Sequence, residues 1–327
     1  MHSRAIAQEL SSRIARRAES DGLTAATVVL MRTFWTKDGV AVAAHDLGGR
    51  GPTLLMVHAT GFAGQVLAPL AKHLAERFRC IAIDSRAHGF SAKPPDGDLG
   101  WHGFADDIAA VIDGMSLESP YGFGHSSGGA ALLLAEEAIP GTFQGLYCYE
   151  PVMIPSEVPL AVSLDNNPLS AGALRRRAIF PSRAEALANF STKAPFCKLD
   201  PEVLRAYIQH GFVEVPGSDG SVQLRCARED EAAIYANGLA HDAFTHLGKI
   251  SCRVVLACGE NTDAFGPELI KIFANRISRS SIVIFPGLSH FGPLEDPQAV
   301  AFSVIGELQP PPSSPGPKRK ALGQEAR

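Results

Sequence analysis

Apolar residues in this chain gather into short runs of strand length, and stretches of helical periodicity fill the intervals between them. Residues 53–57, 80–83, 145–149, 253–257 and 281–285 read Thr-Leu-Leu-Met-Val, Cys-Ile-Ala-Ile, Gly-Leu-Tyr-Cys-Tyr, Arg-Val-Val-Leu-Ala and Ser-Ile-Val-Ile-Phe. A strand with one wet face alternates apolar and polar residues, so runs with so little polar interruption predict strands buried on both faces. Helical patterns follow at about residues 65–77, 104–115, 267–277 and 297–308. Strands and helices in alternation predict an α/β fold with a mostly parallel central sheet flanked by helices. Upstream, residues 32–36 and 39–47 flank Lys37-Asp38-Gly39, which predicts an antiparallel hairpin with an Asp-Gly turn.

The rhythm stops between residues 151 and 250. Eight prolines, from Pro151 to Pro216, interrupt helical pieces near 169–178, 182–192, 201–211 and 228–246. The expected organisation is a core of residues 30–150 and 251–308, with a helical cap of residues 151–250 inserted after the sixth strand. Residues 1–22 read as an amphipathic helical extension, and their acidic residues argue against a transit peptide. Residues 309–327 are proline-rich and then basic, a composition that cannot bury a core and predicts disorder.

Composition narrows the function. The chain has 327 residues, 46% hydrophobic and 20% charged, with a formal net charge of −4. That balance gives no basic field for nucleic acid, and no apolar stretch is long enough to span a membrane. Six cysteines lack C-x-x-C spacing and lie mostly in apolar runs, which predicts reduced core residues and a cytoplasmic location. Neither an H-E-x-x-H motif nor a clustered Cys/His set occurs, so no metal or organic cofactor is expected.

The chemistry centres on Gly124-His125-Ser126-Ser127-Gly128, a G-x-S-x-G nucleophile elbow. A strand-like Tyr121-Gly122-Phe123 precedes it and a helical Ala130-Ala131-Leu132-Leu133-Leu134-Ala135 follows. A serine on so tight a strand-to-helix turn needs glycines two residues to either side, where a Cβ would clash. The glycines miss G-x-G-x-x-G by one position and no Gly-Lys-Ser/Thr follows, so a nucleotide loop does not fit. Ser126 is thus the candidate nucleophile, and the Ser127 N–H, at a helix N-terminus, is one candidate oxyanion donor. The base is expected to be His290, in the loop after the strand ending at Phe285, where it reaches the carboxyl edge of the sheet. For the acid, Asp263 gives the order Ser126, Asp263, His290; Glu150, ending the preceding strand, and Glu260 compete with it. A second oxyanion donor is expected from the turn His58-Ala59-Thr60-Gly61-Phe62, with Thr60 favoured over Ala59 and Phe62. Ala59, Phe62 and His125 are expected to shape the substrate pocket, with His58 bracing the turn.

Four motifs carry a resemblance to the α/β-hydrolase fold family over about residues 30–308: the turn at His58, Asp84-Ser85-Arg86-Ala87-His88-Gly89-Phe90-Ser91, the elbow at Ser126, and Gly287-Leu288-Ser289-His290-Phe291. The second is similar to the family's D-x-R-G-H-G-x-S turn with Ala87 in place of a glycine; there the aspartate and arginine brace the loop. The first departs from H-G-x-P at Ala59. The resemblance implies hydrolysis of an ester, lactone or related acyl bond of a small molecule through an acyl-serine. Serine at the elbow argues against the aspartate-based relatives that open epoxides or remove halides. Two alternatives stay open: carbon–carbon bond hydrolysis with the same triad, and a receptor-like member with little turnover. In the cap, Ile179, Phe180, Phe190, Phe196, Tyr207 and Phe212 either line an apolar pocket or pack the cap on the sheet. Arg175, Arg176 and Arg177 either meet an anionic substrate or form a solvated face.

Overall fold

The structure is a computed structural model that describes residues 30–155, 167–238 and 240–308. The extension expected at residues 1–22 and the tail expected at 309–327 lie outside the described residues. Eight strands form the central sheet: β1 (Leu30–Trp35), β2 (Ala41–Gly49), β3 (Thr53–Val57), β4 (Arg79–Ile83), β5 (Tyr121–His125), β6 (Gly145–Tyr149), β10 (Arg253–Gly259) and β11 (Ser280–Phe285), in the order β1-β2-β4-β3-β5-β6-β10-β11. From β4 to β11 every pairing is parallel, while β1 and β2 form an antiparallel hairpin on the outer edge of β4. The hairpin turns at Gly39, whose φ of 81° needs the missing Cβ.

The uninterrupted apolar runs are explained by two cores, one on each face of the sheet. Leu55, Val57, Ile81 and Ile83 face α2 (Trp101–Met115) and α3 (Ser127–Ala138), while Leu54, Met56, Cys80 and Ala82 face α1 (Ala68–Leu74) and α11 (Pro297–Leu308). Successive residues of β3 and β4 enter opposite cores, so none can be polar without burying an unpaired group, whereas β11, expected to be buried on both faces, lies at the sheet edge and leaves Ile282 and Ile284 exposed. Because the strands run parallel, the turns after β3, β4, β5, β6, β10 and β11 all emerge along one edge. Every candidate site residue lies there.

The segment after β6 contains α4 (Pro168–Leu174), α5 (Arg183–Phe190), α6 (Pro201–His210), α7 (Arg228–Asn237) and α8 (Ala243–His246). The proline and helix signals placed these helices to within a few residues. Asp200, for example, accepts the Glu202 N–H at 2.7 Å ahead of Pro201, a capped start with proline in the first turn. The sequence pattern did not reveal a second sheet of β7 (Ile179–Phe180), β8 (Phe212–Glu214) and β9 (Val222–Leu224), ordered β7-β9-β8 and antiparallel. Two or three residues are too few to show an alternation of period two. Of the cysteines, Cys80, Cys148, Cys226, Cys252 and Cys258 are buried and unpaired as expected; Cys197 is exposed.

Candidate active site

The elbow between β5 and α3 holds Ser126 at φ 56°, ψ −115°, a conformation that costs a non-glycine residue free energy. Glycines on either side are obligatory for close approach. A Cβ on Gly124 would lie 2.5 Å from the Gly128 carbonyl oxygen, and one on Gly128 would lie 2.2 Å from that of Val57. The strained serine is held by its backbone: its N–H donates to the Tyr149 oxygen at 2.9 Å, and its carbonyl accepts from Gly129 at 3.1 Å and Ala130 at 3.2 Å. Ser127 opens α3, so its N–H has no intrahelical acceptor.

Opposite the elbow, the turn after β3 is braced by two neutral histidines. His58 Nδ1–H donates to the Ala59 oxygen at 2.7 Å while its Nε2 accepts the Ser85 N–H at 3.1 Å. His88 Nε2 accepts the Gly61 N–H at 2.9 Å while its Nδ1–H donates to the Arg86 oxygen at 3.0 Å. Each ring uses one nitrogen as donor and the other as acceptor, which only an uncharged imidazole can do. Burial enforces this, lowering His58 to about 4 and moving His88 in the same direction. The Phe62 N–H is taken by the Ala59 oxygen at 3.2 Å, which removes Phe62 from the candidate oxyanion donors. The Thr60 N–H meets no acceptor among the described residues.

The turn after β4 supplies the bracing. Asp84 accepts from Gly64 N–H at 2.7 Å, Phe90 N–H at 2.8 Å and His45 Nε2–H at 2.8 Å, and these donors, led by His45, hold its carboxyl well below the usual range despite its burial. Arg86 is buried, donating to Asp107 of α2 through Nε at 3.1 Å and Nη2 at 2.9 Å, and to Asp38 of the hairpin turn at 2.9 Å. Both residues are thereby spent on structure, as the resemblance implies.

His290 lies in the turn after β11, and its Nδ1–H donates to Glu150 Oε2 at 2.7 Å. Glu150 is completely buried at the end of β6 with φ 44°. Its Oε1 accepts the Gly259 N–H at 3.0 Å, and its Oε2 also accepts from Thr262 Oγ1 at 2.8 Å and Phe265 N–H at 3.3 Å. Four donors thus meet at this one buried carboxylate. Asp263 is exposed and makes no contact with His290 among the described residues; the loop that carries it serves Glu150 through Thr262 and Phe265 instead. Glu260 is likewise exposed and accepts the Gly287 N–H at 3.1 Å. The 259–263 loop leaves Asp263 outward, and the carboxylate that meets His290 comes from the residue after β6.

His125, expected to shape the pocket, has a more specific position. Its Nε2–H donates to the His290 carbonyl at 2.8 Å, and its ring lies 5.2 Å from the His290 ring. Burial, reinforced by His290, lowers His125 to about 3, so it stays neutral and fixes the main chain of the neighbouring histidine. With Nδ1 committed as a donor, His290 presents the lone pair of Nε2. No protein group occupies that nitrogen among the described residues, and it is not yet hydrogen-bonded to Ser126 Oγ. Such contacts are commonly long in a free site and tighten when a reactant binds.

Over this edge sits the cap. Phe62 packs on Tyr207 at 5.3 Å, Phe196 at 6.0 Å and Phe291 at 6.3 Å. Phe180, Phe190, Tyr207 and Phe212 are buried against one another, which makes them the cap's own core, whereas Ile179 is exposed. Of the three arginines, Arg175 and Arg177 are exposed and Arg176 turns inward to Glu231 and the Tyr207 hydroxyl. That pair lies directly over the oxyanion turn: a Cβ on Gly61 would be 2.8 Å from Glu231 Oε1.

A model of the alpha/beta hydrolase family matches residues 54–302, which include the elbow, the braced turns and His290. The chain belongs to that family. Within it, the chain is 25% identical over 289 residues to a bifunctional esterase/perhydrolase of Acinetobacter calcoaceticus, covering 84% of this chain and 98% of the relative. It is 24% identical over 244 residues to a 2-(acetamidomethylene)succinate hydrolase of Mesorhizobium japonicum, covering 74% and 83%. A crystal structure of E-2-(acetamidomethylene)succinate hydrolase superposes with a TM-score of 0.71 at 20% identity over 85% of this chain and 99% of that one. A thermophilic esterase of Thermogutta terrifontis superposes at 0.64 with 21% identity, over 84% and 96%. Among the described residues no helix is long and apolar enough to cross a membrane.

Proposed function

We propose that this α/β-hydrolase cleaves an ester or related acyl bond of a small molecule through an acyl-Ser126 intermediate, with His290 as base and Glu150 as its partner acid. The observation that carries the reading is the 2.7 Å contact from His290 Nδ1 to the buried Glu150 carboxylate, which leaves Nε2 as the acceptor at the sheet edge that also carries the strained Ser126. Ser126 Oγ attacks the acyl carbon while His290 Nε2 takes its proton, and Glu150 stabilises the imidazolium without itself becoming protonated. The oxyanion that forms is received by the N–H groups of Ser127 and Thr60, fixed before reaction by α3 and by the two braced histidines. Each such donor is worth about 3 kcal/mol of transition-state stabilisation. Collapse expels the leaving group with the proton from His290; water then repeats the sequence on the acyl-enzyme, returning Ser126.

Pre-steady-state hydrolysis of p-nitrophenyl butyrate tests the reading. A burst of nitrophenolate stoichiometric with protein, followed by turnover, is expected, and Ser126→Ala is expected to lose both. Undiminished turnover in Ser126→Ala would overturn the nucleophile. Tight ligand binding with no product from a panel of acyl substrates would favour a receptor instead.

A further inference from the structure

The seam between the segment after β6 and the edge of β2 and β4 gathers two arginines, of which Arg225 has no ion pair among the described residues. Arg225, just after β9, lays its guanidinium 4.0 Å above the Phe90 ring and makes no side-chain hydrogen bond or ion pair among the described residues; its Nε is buried without a partner. Its backbone N–H donates to the Gly211 oxygen at 2.9 Å, which sets it beside His210, the last residue of α6. Arg183 joins from α5: Nη2 reaches the Phe212 oxygen at 3.4 Å, its Nε is also buried and unpartnered, and the exposed Glu214 stands 3.9 Å away. On the core side, His45 lies 5.9 Å from the Phe90 ring and gives Nε2–H to Asp84, leaving a buried Nδ1 without a partner. Asp84 is the one buried carboxylate the cluster faces, and its oxygens already accept from three donors. Desolvation, with the charge of Arg183 in the same direction, lowers both Arg225 and His210, the latter to about 4.

We infer that Arg225, with Arg183 and His210, forms a subsite that binds an anionic group, a carboxylate or phosphate, of the acyl substrate. Arg225 is half-buried with its Nε buried and unpartnered, and an oxyanion presented to its free edge supplies the bidentate partner that the protein withholds. Phe90 occupies the guanidinium's face and leaves the planar edge for such a pairing. Tyr207 of α6 packs on Phe62 of the oxyanion turn, and His210 follows three residues later, a rise of about 4.5 Å along the helix. Asp84 ties the two places together, since it accepts from Gly64 beyond the oxyanion turn and from Phe90 beneath Arg225. The substrate portion of the inference rests on the acyl-transfer reading above.

Two measurements separate the subsite from that reading. Calorimetric titration of the full chain with succinate, and separately with inorganic phosphate, is expected to show saturable binding by at least one anion, weakened tenfold or more in Arg225→Gln. Arg183→Gln, expected to weaken it less, serves if the first variant does not fold. Absence of binding by both anions, or affinity unchanged in the variants, overturns the subsite whether or not the protein hydrolyses anything. For the kinetic half, the ratio of kcat/KM for mono-p-nitrophenyl adipate to that for p-nitrophenyl hexanoate is expected to fall at least tenfold in Arg225→Gln. An unchanged ratio overturns the assignment of the anion to the substrate.

Discussion

Ala87, Ser126 and Glu150 hold φ values of 61°, 56° and 44°, in a region that side chains with a Cβ enter at a cost. Both Ser126 and Glu150 directly follow a strand at the site's edge, and Glu150 turns its side chain to His290. Ala87 has no such role and stands where related turns carry glycine. Ala87→Gly is therefore expected to stabilise the protein by about 1 kcal/mol, read as an increased midpoint in urea; a loss of stability would contradict the strain argument. The acid was the least legible residue of the site. Chain order favoured Asp263, and a sequence does not show which of two carboxylates at one sheet edge will be turned inward by its loop. Glu150→Gln is expected to lower kcat on the order of a thousandfold, whereas Asp263→Asn is expected to stay within about twofold. Steady-state kinetics of the two variants settle the point, and the reverse pattern would exclude Glu150.

Among the elements, the turn after β4 shows how one arginine can join its own turn to two others. Arg86 ties that turn to α2 through Asp107 and to the β1–β2 turn through Asp38. Replacing it with leucine leaves Asp107 buried and unpaired, at an expected cost of about 3–5 kcal/mol, measurable by urea unfolding. A loss below about 1 kcal/mol would show that the pair is not holding those elements together. The sheet, its flanking helices and the elbow were legible because each depends on a local pattern: an apolar run, a helical period, a pair of glycines. The little β7-β9-β8 sheet was not, since its strands are held by pairing between residues up to 44 positions apart, as for Ile179 and Gln223. The roles of His88 and His125 were missed for a similar reason; each acts on the backbone of a residue distant in sequence.

For the molecule as a whole, burial of neutral imidazoles makes stability depend on pH. His58, His125 and His241 are lowered to about 4, 3 and 4, chiefly by desolvation. At pH above the ordinary histidine value both folded and unfolded states leave them neutral, so they contribute no slope. As pH falls below about 6.5, the unfolded chain takes up protons that the folded chain refuses, and stability declines until the folded values are reached. Asp84, held low when folded, adds a loss in the same direction below about 3.8. The thermal midpoint is expected to fall steadily from pH 7.5 to pH 5; a flat profile would contradict the neutral, buried assignment of these rings.

The central claim is that Ser126 is activated by His290, and covalent labelling tests it most directly. Treatment of the intact protein with a fluorophosphonate, followed by peptide mass mapping, is predicted to place one adduct on Ser126, with the rate of labelling strongly reduced in His290→Ala. An adduct on another residue, or labelling of Ser126 that is as fast without the His290 imidazole as with it, would contradict the account.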